Sequence, residues 1–137
     1  EKLERELLII RFVFDHASDS ILLFDREGAM YRANETACTL LGYSGDEIQN
    51  ITVFDVNPEI NPEVWNEMWS SADTGAEICR VRSVHRRRDG EIIPVEISRK
   101  FISAGPISLF CSIARRIEDS HEGHGGEREF SDNLKSE

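Results

Sequence analysis

The side chains best equipped for chemistry in this sequence are four histidines, three cysteines and a stripe of arginines. His16, His85, His121 and His124 form no metal-spaced set. Cys38, Cys79 and Cys111 are odd in number, far apart and without a Cys-x-x-Cys pair. That fits buried thiols in a reducing, cytoplasmic compartment better than a disulfide framework or a zinc site. Carboxylates are plentiful, yet none sits in a catalytic pattern, and there is no P-loop and no Gly-x-Ser-x-Gly. The expectation is therefore a non-enzymatic piece. Arg80, Arg82, Arg86, Arg87 and Arg88 stand out in a chain of 26 acids and 16 bases. Either Arg80 or Arg82, if turned inward, would suit a carboxylate through bidentate contact. The plain alternative is a solvated strand face paired with Glu77, Glu91 and Glu96 on neighbouring strands.

The elements that must position these groups can be read in order. Leu3, Leu7, Ile10 and Phe14 recur at alternating four- and three-residue steps over residues 1–17, the spacing of a two-helix seam. A helix that merely covers its own domain has the same pattern, and two heptads do not separate the two. Ile21–Phe24 and Ala29–Arg32, joined through Gly28, read as a short hairpin. Asn34 is a helix N-cap, Gly42 a C-terminal stop, and Ser44 with Glu47 a capping box. Residues 51–61 look irregular. Asn61-Pro62 opens a helix carrying Val64, Trp65, Met68 and Trp69 on one face and ending at Gly75. From Ala76 the period becomes two, through three longer strands turned at Asp89-Gly90 and Gly105-Pro106. Pro94 within one of them predicts an edge strand or a bulge. Two early strands and three late ones make a five-stranded antiparallel sheet with the short helices on one face, an α+β architecture. The space between them is the default ligand site.

The length of 137 residues fits one domain of ordinary size. A net charge of −10 argues against nucleic acid and anionic membrane as partners. No apolar run approaches the ~20 residues of a membrane span. The chain opens on Glu1 and closes inside a charged stretch, so it reads as a piece of a longer polypeptide. We expect a flanking helix at 1–18, a core domain at 19–117 and an acidic, glycine-containing linker at 118–137 that leads to an output domain.

Three stretches in order resemble the PAS domain family of sensory modules. They are Asp19–Asp25 with Gly28 and Asn34, then Ala33–Ser44 ending in Leu41-Gly42-Tyr43-Ser44, then His85–Gly90 followed by Pro94–Ser98. The resemblance covers about a hundred residues. Near the exit the family often has Asp-Ile-Thr, where this chain has Arg116-Ile117-Glu118. The resemblance implies a PAS fold and a sensor of a multidomain regulator such as a two-component histidine kinase. It implies a small ligand or a protein partner. A homodimer is expected as well, with Leu3, Leu7, Ile10 and Phe14 as its seam where the first helix does not instead cover its own domain. The interior is expected to be lined by Ile21, Leu23, Ala37, Leu41, Phe54, Trp65, Trp69, Ile78, Val95, Ile97, Leu109 and Ile113. No cofactor is specified. Haem is disfavoured because no histidine lies on the 62–74 helix, where oxygen-sensing members carry their ligand. A covalent-type flavin photoreceptor is disfavoured because Asn50–Asp55 lacks a cysteine. Trp65 and Trp69 leave a non-covalent flavin open, as they leave a filled, ligand-free core. Ser120-His121-Glu122 resembles a kinase phospho-acceptor box only superficially, since glycines follow it.

Overall fold

A computed structural model describes residues 1–72 and 79–118. Ile78, His121, His124 and the expected linker from residue 119 onward lie outside the described residues. The elements run α1 (Lys2–Asp15), β1 (Ser20–Phe24), β2 (Met30–Ala33), α2 (Glu35–Leu41), α3 (Gly45–Ile48), α4 (Val53–Val56), α5 (Pro62–Ala72), β3 (Cys79–Arg86), β4 (Ile92–Ala104) and β5 (Ile107–Arg116). The strands form one antiparallel sheet in the order β2-β1-β5-β4-β3. Among the described residues no helix is long and apolar enough to cross a membrane.

Local chemistry sets the helix ends. Asn34 Oδ1 accepts from the Ala37 N–H, and Gly42 closes α2 at φ 83°, a conformation that costs glycine little. Ser44 and Glu47 complete a capping box on α3. Thr52 and Asp55 do the same for α4, within the stretch that reads as irregular. Asn61 Oδ1 accepts from the Val64 N–H at the start of α5.

Three expectations need correction. In β1 it is Leu22 and Phe24 that are buried against the helices, whereas Ile21 and Leu23 turn to the opposite face and are only half-buried. In β5 the buried inner set is Phe110, Ser112 and Ala114, while Ile113 is 37% exposed on the outer face. Leu109 shares the outer phase of Ile113, although it too is buried. The cause is pairing. Leu22 lies opposite Ser112, and Ser112 opposite Arg99, so one choice of phase propagates across three strands. Pro94, finally, sits in β4, an interior strand. It is tolerated because the β4–β5 ladder starts at Val95, and only the Pro94 carbonyl, accepting from Ile117 N–H, is needed on that side.

The core has two parts. The larger joins Leu22, Phe24, Phe110 and Met30 of the sheet to Leu41, Ile48, Val53, Trp65 and Trp69 of the helices. The smaller is Ile93, Val95, Ile97 and Ala114, with Leu40 and Val81 against it.

Candidate functional site

The inner face of the sheet is built in rows, because antiparallel partners point the same way. Phe24, Phe110 and Phe101 form one row. Leu22, Ser112, Arg99 and Cys79 form the next, and Ser20, Ala114, Ile97 and Val81 the one after. The first row belongs to the larger core cluster and the third to the smaller. The row between them carries a serine and an arginine, so a polar seam crosses the interior where the two clusters meet.

Helix α5 lays an aromatic lid over the first row. The Trp65 ring meets Phe110 edge-on at 5.1 Å, and Trp69 meets Phe101 at 4.7 Å. Trp65 Nε1 donates to the Arg26 carbonyl at 2.7 Å. The Arg26 guanidinium stands 5.1 Å over the Trp69 ring. Trp69 Nε1 is buried with no hydrogen-bond partner. On the side of β3, Asn57 Nδ2 donates to Ser83 Oγ at 3.2 Å, and Ser83 donates to Glu59 Oε1 at 2.7 Å.

Two charged or titratable groups enter this interior. Arg99 is half-buried at mid-strand, and the partial loss of water lowers its pKa from the ordinary value, with Cys79 and Glu59 pulling the other way. His85 is 2% exposed, and its Nδ1 has no partner. Burial, then the nearby Arg99 charge, push its pKa down to about 4, so the imidazole is neutral at physiological pH.

Of the expected interior residues, Ala37, Leu41, Trp65, Trp69, Val95 and Ile97 are brought together between sheet and helices, and Phe54 packs against the edge of that core. Ile21, Leu23 and Ile113 are not, for the reason of strand phase given above. The arginines chosen as anion contacts are misplaced as well. Arg80 pairs with Ser98 and lies in a shallow outer-face cleft with Asp19, Glu96 and Arg115, where Arg115 already pairs with Glu96 at 3.0 Å. Arg82 lies opposite Glu96 on the same outer face. The arginine that enters the interior is Arg99. Its signal was in the sequence: it occupies the otherwise apolar phase Ile93, Val95, Ile97, Phe101.

This arrangement of a five-stranded sheet, four helices on one face and a leading helix has close counterparts. The sequence profile described as PAS domain matches residues 18–115. The chain belongs to the PAS domain family. This PAS domain is similar to the PAS domain of an HTR-like protein from Haloarcula marismortui, at a TM-score of 0.74 and 23% identity, covering 85% of this chain and 95% of that one. It is similar also to a domain of a sensory box sensor histidine kinase/response regulator from Geobacter sulfurreducens, at a TM-score of 0.67 and 25% identity, covering 82% and 96%. In sequence it is 27% identical over 120 residues to the methyl sulfide methyltransferase-associated sensor of Methanosarcina acetivorans. That match takes in 86% of this chain, and the chain spans 12% of the length of that relative. PAS domains are sensory modules and in general non-catalytic.

The PAS sheet has a second face of interest. Leu7, Ile10 and Phe14 of α1 and Leu23 of β1 line an open groove of about 360 Å³. None of the residues of α1 is buried, and Leu3, Leu7, Leu8, Ile9, Ile10, Phe12 and Val13 are each 57–66% exposed. The helix is nevertheless tied to the domain. Asn34, fully buried, donates through Nδ2 to the carbonyls of Phe14 and Asp19 while its Oδ1 accepts from Ile21 and Ala37. Thr36 Oγ1 donates to the Ala17 carbonyl.

Proposed function

We propose that this PAS domain is the cytoplasmic sensory module of a multidomain regulator, a two-component sensor histidine kinase, and that it works as a homodimer. Residues 19–117 hold the sensor, 1–18 the dimerising helix, and 118–137 a linker to an output domain in the same parent chain. A small ligand between the inner sheet face and α2–α5 alters the packing. The change passes to α1 through Asn34, which bonds strand, helix and the end of α1 at once.

The observation that carries the reading is the exposed apolar surface of α1. A 14-residue helix with no buried residue is marginal by itself in water. Burying each leucine, isoleucine or phenylalanine is worth about 1.5–3 kcal/mol. A second copy laid along Leu3, Leu7, Ile10 and Phe14 supplies that cover. The likeness to a domain of a sensor histidine kinase supports the parent assignment.

Sedimentation velocity tests the dimer. The double variant Leu7→Glu with Ile10→Glu keeps the helix formers but charges the seam, and it should sediment as a monomer where the parent is a dimer. A variant as dimeric as the parent removes the seam from the reading. A coloured, flavin-retaining protein after reconstitution would favour a flavin sensor over a colourless small ligand.

A further inference from the structure

The outer face of the PAS sheet carries a charge opposite to that of the chain. Strand pairing puts Arg80, Arg82 and Arg86 of β3, Lys100 of β4 and Arg115 of β5 on the side away from the helices. Glu96 is the one acid in these three strands. Its carboxylate is already engaged, since Glu96 Oε1 accepts from two nitrogens of Arg115 at 3.2 and 3.0 Å. Glu91, beyond the hairpin turn, faces Arg87 at 3.2 Å and Arg116 at 3.7 Å. Arg80 and Lys100 are exposed. Beside Arg80 lies an open cleft of about 220 Å³, lined also by Ser98, Arg115 and Asp19, with room for a carboxylate side chain. A chain of net charge −10 thus keeps a surplus of positive charge on one face. A second copy laid face to face there would set arginine against arginine, so the face suits an acidic occupant.

An acidic stretch is joined to the edge of this face. β5 ends at Arg116, and Ile117 N–H donates to the Pro94 carbonyl, so the chain leaves the sheet next to Arg115. From Glu118 to Glu137 the sequence holds seven acids against Arg128 and Lys135. β3 lies two strand spacings from β5, about 10 Å, a span of three or four extended residues. Asp119 and Glu122 are therefore within reach of the nearer arginines, and Glu127, Glu129 and Asp132 within reach of the whole face. The covalent join gives this segment a millimolar effective concentration, an advantage over any separate acidic protein.

We propose that the acidic segment 118–137 lies across the outer face of β3–β5, its carboxylates against Arg80, Lys100 and their neighbours, as an electrostatic latch on the exit of the domain. The latch goes beyond the sensory reading, in which these residues only lead onward, and it holds whatever the ligand. Each exposed ion pair multiplies the latched population by about 1.4- to 5-fold, so three pairs multiply it by about 3- to 100-fold. Screening shortens from about 10 Å at 0.1 M salt to about 3 Å at 1 M, so salt opens the latch.

The test is zero-length carbodiimide coupling on the whole chain, which joins a carboxylate to an amine in contact with it, the linked peptides being read by mass spectrometry. Lys100 should couple to acids of 119–137. Lys2, at the opposite end of α1 from its tie to the domain, should couple several-fold less. Arg80→Lys keeps the charge, adds an amine and should add a second set of links. Arg80→Glu should lower the Lys100 yield by about 2- to 30-fold, because an attraction becomes a repulsion. Raising salt from about 0.02 to 1 M should lower it several-fold. Absence of Lys100 links to the segment, coupling of Lys2 as strong as that of Lys100, or a yield indifferent to both salt and Arg80→Glu each overturn the proposal. Links that join two copies, told apart in a mixture of isotope-labelled and unlabelled chains, overturn it in favour of a second chain's segment. The unaltered chain decides by itself should either variant fail to fold. The dimer seam is judged separately, by the sedimentation experiment.

Discussion

Acidification should destabilise this domain through His85, and the size of the effect follows from its burial. The imidazole is 2% exposed and its folded pKa lies at about 4 against an ordinary 6.5. Between those values the unfolded chain binds a proton that the folded chain refuses, so stability rises with pH there. The contribution is complete above about pH 6.5 and is lost as pH falls through about 4. A gap of about 2.5 pH units at about 1.4 kcal/mol each gives about 3 kcal/mol. That is a large share of the 5–15 kcal/mol, roughly, that holds an ordinary domain together. The assay is urea unfolding across this pH range at one fixed protein concentration, since a dimer makes stability concentration-dependent. The comparison is with His85→Leu, which cannot titrate at that position. Carboxylates titrate in both proteins, and their contribution cancels in the difference. The unaltered chain should lose about 3 kcal/mol relative to the variant on going from neutral pH to about 4. Two curves that run parallel through that window refute the argument that a neutral, desolvated imidazole sits on the inner sheet face. Arg99→Met supplies an internal control: without the neighbouring charge the folded His85 pKa should climb toward its ordinary value, so the window of loss narrows from its acid end and the loss shrinks.

Two further outcomes test the strand phase and the tie to the leading helix. Leu22→Ala should cost about 2–5 kcal/mol and Ile21→Ala about 1 kcal/mol or less, because only the first faces the helices; equal losses in urea unfolding would mean that β1 is turned the other way. Asn34→Asp keeps the acceptor for Ile21 and Ala37 but sets an oxygen against the Phe14 and Asp19 carbonyls, at a cost on the order of 2–4 kcal/mol. Amide exchange should then quicken at the end of α1 and in the segment after it, and unchanged exchange there would show that Asn34 does not hold the helix.

Much of the architecture was legible because its signals are local. Asn34, Gly42, the Ser44–Glu47 box and Asn61-Pro62 each mark a helix end through bonds made within four residues. Asp89-Gly90 turns a hairpin because glycine takes the φ of 96° found there. The Thr52–Asp55 box is just as local, and its pattern was open to the same reading. The interior was less legible. Trp65, Trp69, Leu41 and Val95 are in it as their periodicity predicts, while His85 and Arg99 are polar residues in apolar phases, which hydrophobic periodicity does not single out.

By itself the sequence determined the order of helices and strands, the turns between them and the PAS family, since each depends on neighbours along the chain. Only the tertiary structure decided which side of each strand is inside. Ile21–Phe24 is apolar in both phases, because the far side is also an apolar surface, lined by Leu7, Ile10 and Phe14. In β5 the phase is set by the rungs to Leu22 and Arg99 rather than by hydrophobicity, so Ser112 goes in and Ile113 goes out. The same pairing carries Arg99 inward and leaves Arg80 on the outer face. A strand's own alternation marks two faces, and the partners across the sheet choose between them.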